Sequence, residues 1–531
     1  MCTLAALNIE LGLLRLSRPN YKVDSLLGVA SWGTPAIYHF ERSLIVMDSS
    51  NHRFFMFTNY TRSPLGQRLW IAMTLVLAAL PSLKSPDLAG QEQWLDAMSK
   101  INPNLGTTFK IDEALVKAAG VRKVTGKHLD LYTDARDDEK VDELVVVFDR
   151  SVEQWCRFFE IDPGKATSWK LRAFLIADPK VPDRFRNAQL LPDGLPRFQA
   201  GFQRGHNLWL YLQPGKYYTR HLLIHEGTHG FMLWFLNGYG APWYGEGIAE
   251  QFGVHRWSNQ NLKLLYRLRD RSEAEYWGRV KRIKDERDTD KGMTLSDVLN
   301  IPPTAFLEVR YYAWSWAGCE FFSKHEKTKA AFRNLRALAH LDSAKFNQQF
   351  QLAIQNGWDT LERDWELFVG EMEYGYQVDR GQISVANPIG ERSGSANSKF
   401  EVRSDRSWQS TSIQVKKGDR IRISGSGEFR VGPNGPSSSD PSKTPWKSQS
   451  NGITIEYYQG YPLGMLHAGI LNPTASTARE QIKGLLKPIP VGLNAEITAP
   501  ATGTLCLRIN ESPANLDTNQ GALEVDVEKL E

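Results

Sequence analysis

Five consecutive residues, His225-Glu226-Gly227-Thr228-His229, combine the types and spacing from which a metal site with an attached base can be built. On a helix, positions i and i+4 share a face, so both imidazoles can reach one ion while the intervening carboxylate stands beside an open coordination position. The flanking stretches HLLI and FMLWFL are apolar, so these polar groups would be buried and in need of partners. A metal ion supplies one; the plainer alternative is a core or surface histidine pair without a ligand role. Catalytic zinc commonly takes three protein ligands and leaves a fourth position to water, so a third ligand belongs on a nearby element. Glu246, separated from His229 by sixteen residues, is the natural candidate. Glu250 lies one helical turn further on the same face, placed to accept the free ring N–H of a ligating histidine; otherwise it is a solvated helix carboxylate.

HEGTH followed by WYGEGIAEQF resembles the gluzincin metallopeptidases, in which HExxH is completed by a glutamate in an EGxAE-type sequence, as in thermolysin-like, aminopeptidase-type and bacterial peptidase-MA-like proteins. The resemblance spans approximately residues 125–380. It implies a Zn2+ ion held by His225, His229 and Glu246, with Glu226 as catalytic base and Glu250 behind the ligands. It also implies an α+β zincin-like catalytic domain, a short sheet with a mostly helical lower part, acting on a protein or peptide substrate. In that chemistry zinc acidifies a water and polarises the scissile carbonyl, while Glu226 takes the proton and returns it to the leaving amine. Tyr311-Tyr312-Ala313-Trp314-Ser315-Trp316 resembles the Y-A-x-S-W segment that follows the zinc site in peptidase-MA-like proteins, where Tyr312 would stabilise the oxyanion; the alternative is an aromatic core helix. The spacing to Glu246 is shorter than in the aminopeptidase branch and no GxMEN-type sequence is present, so aminopeptidase specificity is not implied.

The elements that must carry these residues are legible in outline. HLDLYT alternates as a strand, and from residue 137 to 159 apolar residues recur at three and four, as in an amphipathic helix. LRAFLIA and LWLYL, bounded by Pro, Asp and Gly, read as two more strands, with a Pro- and Arg-rich surface connector between them. Residues 217–236 read as the helix that bears HEGTH. Helical signals continue to about residue 376, among them NLKLLYRLRDRSEAEYWGRVKRI from residue 261. A shift to NPIGERSGSANS marks a linker, beyond which segments such as SIQVKKGDRIRISGSGEFRVG and TLCLRIN alternate with Gly, Asn and Pro turns. That pattern predicts an all-β sandwich or jelly roll over 396–531, after a catalytic domain over 91–390.

The last segment is similar to the calcium-dependent galactose-binding lectins of bacteria. Asn510, Glu511, Asn515, Thr518 and Asn519 fall on that family's calcium loop, which would bring Ca2+ and a glycan partner. A glutamate stands where the loop has aspartate and a threonine where it has asparagine. The alternative is a sandwich turn rich in Asn and Asp.

Composition sets the outer bounds. Hydrophobic residues make up 41% and charged residues 23% of the 531, which excludes a wholly disordered or fibrous chain. A net charge of +4 gives no field for a polyphosphate, so nucleic acid is not an expected partner. The four cysteines form no CxxC pair, which removes a thiolate zinc site. Residues 69–80, LWIAMTLVLAAL, are too short to span a membrane but suit a signal-peptide core, with Arg62 and Arg68 before them and a small-residue stretch ending near Ala89 after. Translation from Met56 would put that core in order. Residues 1–55 then read as an over-extended gene start or a disordered stretch, and 56–90 as the export signal of a periplasmic, cell-surface or extracellular bacterial protein, neither with a fold of its own; the alternative for the apolar run is a buried core helix of an N-terminal domain. The rival reading is a secreted binding protein with a catalytically silent zinc domain, in which the lectin-like sandwich acts.

Overall fold

The structure, a computed structural model, describes residues 110–530 apart from 137–138, 179–181, 193, 196–197, 199, 390–396 and 433–444, together with three earlier strands. Those strands, Ile37–Phe40, Ser43–Asp48 and Arg53–Thr58, form an antiparallel meander in which Met56 pairs with Ile45. They occupy a stretch to which the sequence assigns no fold. The apolar run at 69–80 and the region near Ala89 lie outside the described residues.

The metal-motif region is built on a mixed sheet of β1 (Arg122–Thr125), β2 (Leu129–Thr133), β3 (Leu171–Ile176), β4 (Gly201–Arg204) and β5 (Asn207–Tyr211). The spatial order is β1-β2-β3-β5-β4, with β2, β3 and β5 parallel and the outer two strands antiparallel to their neighbours. Successive side chains of a strand point to opposite faces, and both faces are covered here. Leu129, Leu131, Leu171, Ala173 and Leu208 enter the main core, whereas Tyr132, Phe174, Ile176 and Trp209 enter a second cluster with Phe185 and Leu190. Double coverage explains why β3 and β5 read as near-continuous apolar runs. The main core is closed by α1 (Glu139–Phe159), α2 (Lys216–Leu236), α3 (Pro242–Gly253), α4 (Arg279–Asp288), α5 (Val309–Lys324) and α6 (Trp358–Gly370).

Two differences from the sequence-based outline matter. The stretch from residue 261 is not one helix: Asn261–Leu264 is a strand paired with His255–Ser258, and helix resumes only at Arg279. Asn259 and Gln260 both adopt left-handed backbone, at φ 49° and 58°, and close a two-residue turn that pairs Ser258 with Asn261. A run as short as NLKL fits either period, and this turn decides it. The second difference is β4, four residues inside the stretch read as a surface connector; GFQR is too short and too polar to announce a strand.

The C-terminal region is two facing sheets. One runs in the order Ser384–Val385, Gln409–Val415, Gly503–Ile509, Tyr461–Leu471, Asn451–Tyr458. The other runs Asn387–Pro388, Asn397–Arg403, Ala522–Leu530, Arg420–Ser426, Asn494–Thr498. Val402, Ile421 and Val525 of the second meet Leu466, Ala468 and Leu507 of the first in one core. The sandwich therefore begins before residue 390. It is also tied to the helical region: Leu367 of α6 packs with Trp408, Leu471 and Cys506. Beside that contact the Arg508 guanidinium, 4.8 Å over the Trp408 ring, pairs with Glu371, both side chains being 2% exposed. Cys156, Cys319 and Cys506 are buried free thiols. No helix among the described residues is long and apolar enough to cross a membrane.

Candidate metal centre

α2 is buried on nearly every side, which is why its sequence is apolar all round, and it stops at Asn237 in left-handed backbone, φ 58° and ψ 31°. The chain turns through Tyr239 and re-enters helix at Pro242, the first position of α3, where a missing N–H costs nothing. That turn brings Glu246 back onto the histidines. His225 Nε2 lies 3.2 Å from His229 Nε2 and 3.2 Å from Glu246 Oε2, and His229 Nε2 lies 3.3 Å from the same oxygen. Tetrahedral zinc with bonds of about 2.0–2.1 Å sets its ligands about 3.3–3.4 Å apart. The donor set and its spacing therefore fit the ion. Glu246 Oε2 is buried without a hydrogen-bond partner, consistent with a group arranged for a metal. Burial opposes ionisation of Glu246, but the His229 and His225 imidazoles outweigh it and hold the carboxyl down to about 2.

Glu250 is 2% exposed and is gripped by Arg279 of α4 through two hydrogen bonds of 3.0 Å, from Nε and Nη2. Its Oε1 is 3.4 Å from His221 Nε2 and 3.5 Å from His225 Nδ1, so it faces His225 by charge more than by a hydrogen bond. Burial would raise its pKa, yet the Arg279 guanidinium and His221 hold the carboxyl well below the usual carboxylate range. Arg279 and His221 are members of the site that the motif does not name. His221 is legible in hindsight, one turn ahead of His225; nothing near Arg279 in the sequence signals it.

Glu226 is 8% exposed, and burial raises its pKa against the pull of His225 and His229. Its carboxylate lies against Gly201 of the edge strand β4: a Cβ there would be 2.6 Å from Glu226 Oε1. Only glycine lets this strand come so close. A similar approach seats α5 on α3, where a Cβ on Gly247 would lie 2.4 Å from both Cys319 Sγ and the Ser315 carbonyl oxygen. α5 thereby presents Tyr312, whose ring centroid is 5.9 Å from that of His225. On the opposite side Tyr239 meets His229 edge to face at 5.4 Å and donates its hydroxyl to Gln203 Oε1 of β4 at 2.9 Å. Burial, with the Glu246 and Glu226 carboxylates nearby, pushes both phenols upward, so both stay protonated donors at neutral pH.

The five residues matched to a calcium loop lie at the sandwich's last turn. Glu511 Oε2 and Asn519 Oδ1 converge, and the Gly432 N–H donates to both, at 3.2 and 3.1 Å. Asn510 Nδ2 donates to the carbonyls of Tyr458, Tyr461 and Pro462, Thr518 Oγ1 to that of Asn515, and Asn515 Nδ2 reaches Glu511 Oε1 at 3.5 Å. Asn510 Oδ1 alone is buried without a partner.

No family model matches the chain. No curated protein matches it. Among solved structures the chain is similar to one described as "EclA N-terminal domain; PllA-like lectin", with 21% identity, coverage of 27% of this chain and 98% of that one, and a TM-score of 0.19.

Proposed function

We propose that this protein is a zinc-dependent peptidase of the gluzincin type. The observation that carries the reading is the convergence of His225 Nε2, His229 Nε2 and Glu246 Oε2 at 3.2–3.3 Å with the Glu226 carboxylate beside them. Zinc, when bound, supplies a Lewis acid that acidifies a water and polarises a carbonyl. Glu226, whose burial makes its carboxylate the stronger base, would take a proton from the attacking water and deliver it to the leaving amine. Tyr312 donates a hydrogen bond to the oxyanion as charge develops there. Glu250, held by Arg279, orients His225. A peptide substrate suits β4, which pairs only with β5 among the described residues and backs directly onto Glu226: an extended chain added along its outer edge would run past the base. We propose further that the protein works outside the cytoplasm, on the strength of the apolar run at 69–80, and that the sandwich directs it to glycan, with calcium at the Glu511 loop.

The test pairs two variants. Glu226→Gln should bind equimolar zinc and lose turnover of a casein-type unstructured substrate, whereas His225→Ala should lose both metal and turnover. Undiminished hydrolysis by Glu226→Gln would overturn the assignment.

A further inference from the structure

A cleft of about 620 Å³ opens where α2 begins, at the end of the helix remote from Asn237 and apart from the metal ligands. It is lined by Lys216, Tyr217 and Arg220 of α2, by Lys140 and Arg256, and by the acids Glu273 and Glu275. Three independent features of this cleft call for an anion.

The first is the start of the helix. α2 is 21 residues long, its N-cap is Gly215 with no capping side chain, and its first turn holds no acidic residue. Its leading amides thus lack a side-chain acceptor, and the helix dipole adds roughly half a positive charge at this end. The second is a hydroxyl. Tyr217 is 8% exposed and its hydroxyl proton has no acceptor, the oxygen facing only the His255 backbone amide, while its ring is held flat against His255 at 4.5 Å and 6°. A buried phenol without an acceptor is costly, and an oxyanion supplies the acceptor. The third is the charge balance. Arg220 is already paired with Glu143 at 2.6 Å, and Glu273 already accepts from the Arg269 N–H and the Tyr266 hydroxyl, at 2.7 and 3.2 Å. Lys216 makes no ion pair among the described residues, and Arg256 has only the Tyr266 hydroxyl and ring. Glu275, exposed and unbonded, is the one loose anion; its Oε2 would lie 2.9 Å from a Cβ on Gly215.

We propose that this cleft is a second ligand site, which takes a small molecule through one oxyanion, a carboxylate or a phosphate, bound by Lys216, the Tyr217 hydroxyl and the first-turn amides of α2. Glu275 is its internal competitor, displaced when the ligand enters. The mixed lining, with acids as well as bases, suits a single anionic group and opposes a polyanion.

The test is calorimetric titration of the full chain with inorganic phosphate and, separately, with acetate, at constant ionic strength in a buffer free of both. One saturable site is expected; saturation by phosphate alone assigns a phosphate-bearing ligand, by acetate alone a carboxylate, and by both a general oxyanion site. Tyr217→Phe removes a hydroxyl whose proton nothing in the chain accepts, so its melting temperature should stay close to that of the parent while anion affinity drops at least tenfold. Lys216→Ala should weaken binding similarly, Glu275→Gln should tighten it, and zinc content should be unchanged in all three. No saturable binding of either anion, or equal affinity in Tyr217→Phe and Lys216→Ala, would overturn the proposal.

Discussion

Replacing Gly201 by alanine tests whether the edge strand and Glu226, the proposed base, form one device. The added methyl would lie 2.6 Å from Glu226 Oε1, 2.9 Å from Glu226 Cγ and 3.0 Å from Leu210 Cδ2. Ordinary contact begins near 3.4 Å, so the carboxylate oxygen must retreat by about 0.8 Å or β4 must move outward by as much. A misplacement of about 1 Å at a catalytic group costs on the order of 10²-fold in rate, or roughly 2.7 kcal/mol of transition-state stabilisation. Overpacking by one methyl adds about 1–3 kcal/mol of lost stability. The three atoms nearest the methyl belong to Glu226 and Leu210 and none to His225, His229 or Glu246, so zinc content should stay equimolar. Gly201→Ala should therefore lower kcat on an unstructured protein substrate by about 10²-fold, with metal retained and a modest fall in the denaturation midpoint. Parental turnover would refute the placement of Glu226 against the edge strand. Loss of metal would refute the claim that base and ligands are separable.

Arg279→Ala should destabilise the protein by about 3–5 kcal/mol in chemical denaturation, because it leaves the buried Glu250 carboxylate without its two-pronged partner. Adding Glu250→Gln should recover most of that loss, and a cost below about 1 kcal/mol for the single change would mean the pair is idle. Burial pushes the Glu511 carboxyl up to about 7, against hydrogen bonds from Ser512, Asn515 and Gly432 that pull it down. Its folded pKa lies above the 4.5 of the free group, so its contribution is present in full below pH 4.5 and is lost as pH rises to 7. Relative to Glu511→Gln, the parent should lose up to about 3 kcal/mol of stability across that window, and parallel profiles would contradict it. Calcium held at Glu511 would keep the carboxylate ionised, so adding calcium to the full chain should flatten this slope and raise the melting temperature; an unchanged midpoint would remove calcium from the reading.

The elements around the centre divide by how they earn their stability. α1, α2 and the parallel strands announce themselves through periodicity or unbroken apolar runs, since each buries a wide face and burial leaves a mark on composition. The hairpin at 255–264 was hidden because its strands are short and a left-handed turn, not hydrophobic pattern, sets it. β4 was hidden for a related reason: an edge strand of four residues shares its hydrogen bonds with one neighbour and needs little apolar surface. The tie between the sandwich and the helices, through Arg508, Glu371 and Trp408, joins residues far apart in the chain and leaves no local trace.

The sequence by itself determined which atoms could meet at the centre. HEGTH on a helix puts two imidazoles on one face by the geometry of 3.6 residues per turn, and the sixteen-residue spacing beyond His229 makes Glu246 the natural candidate for a third ligand. Local geometry of that kind is written in spacing. Only the tertiary structure decided what surrounds those atoms: Arg279 rather than solvent against Glu250, Gly201 rather than open space beside Glu226, and Tyr239 of the turn after α2 and Tyr312 of the distant α5 beside the histidines. These partners come from separate segments brought together by packing, and their energies depend on burial, which no spacing along the chain encodes.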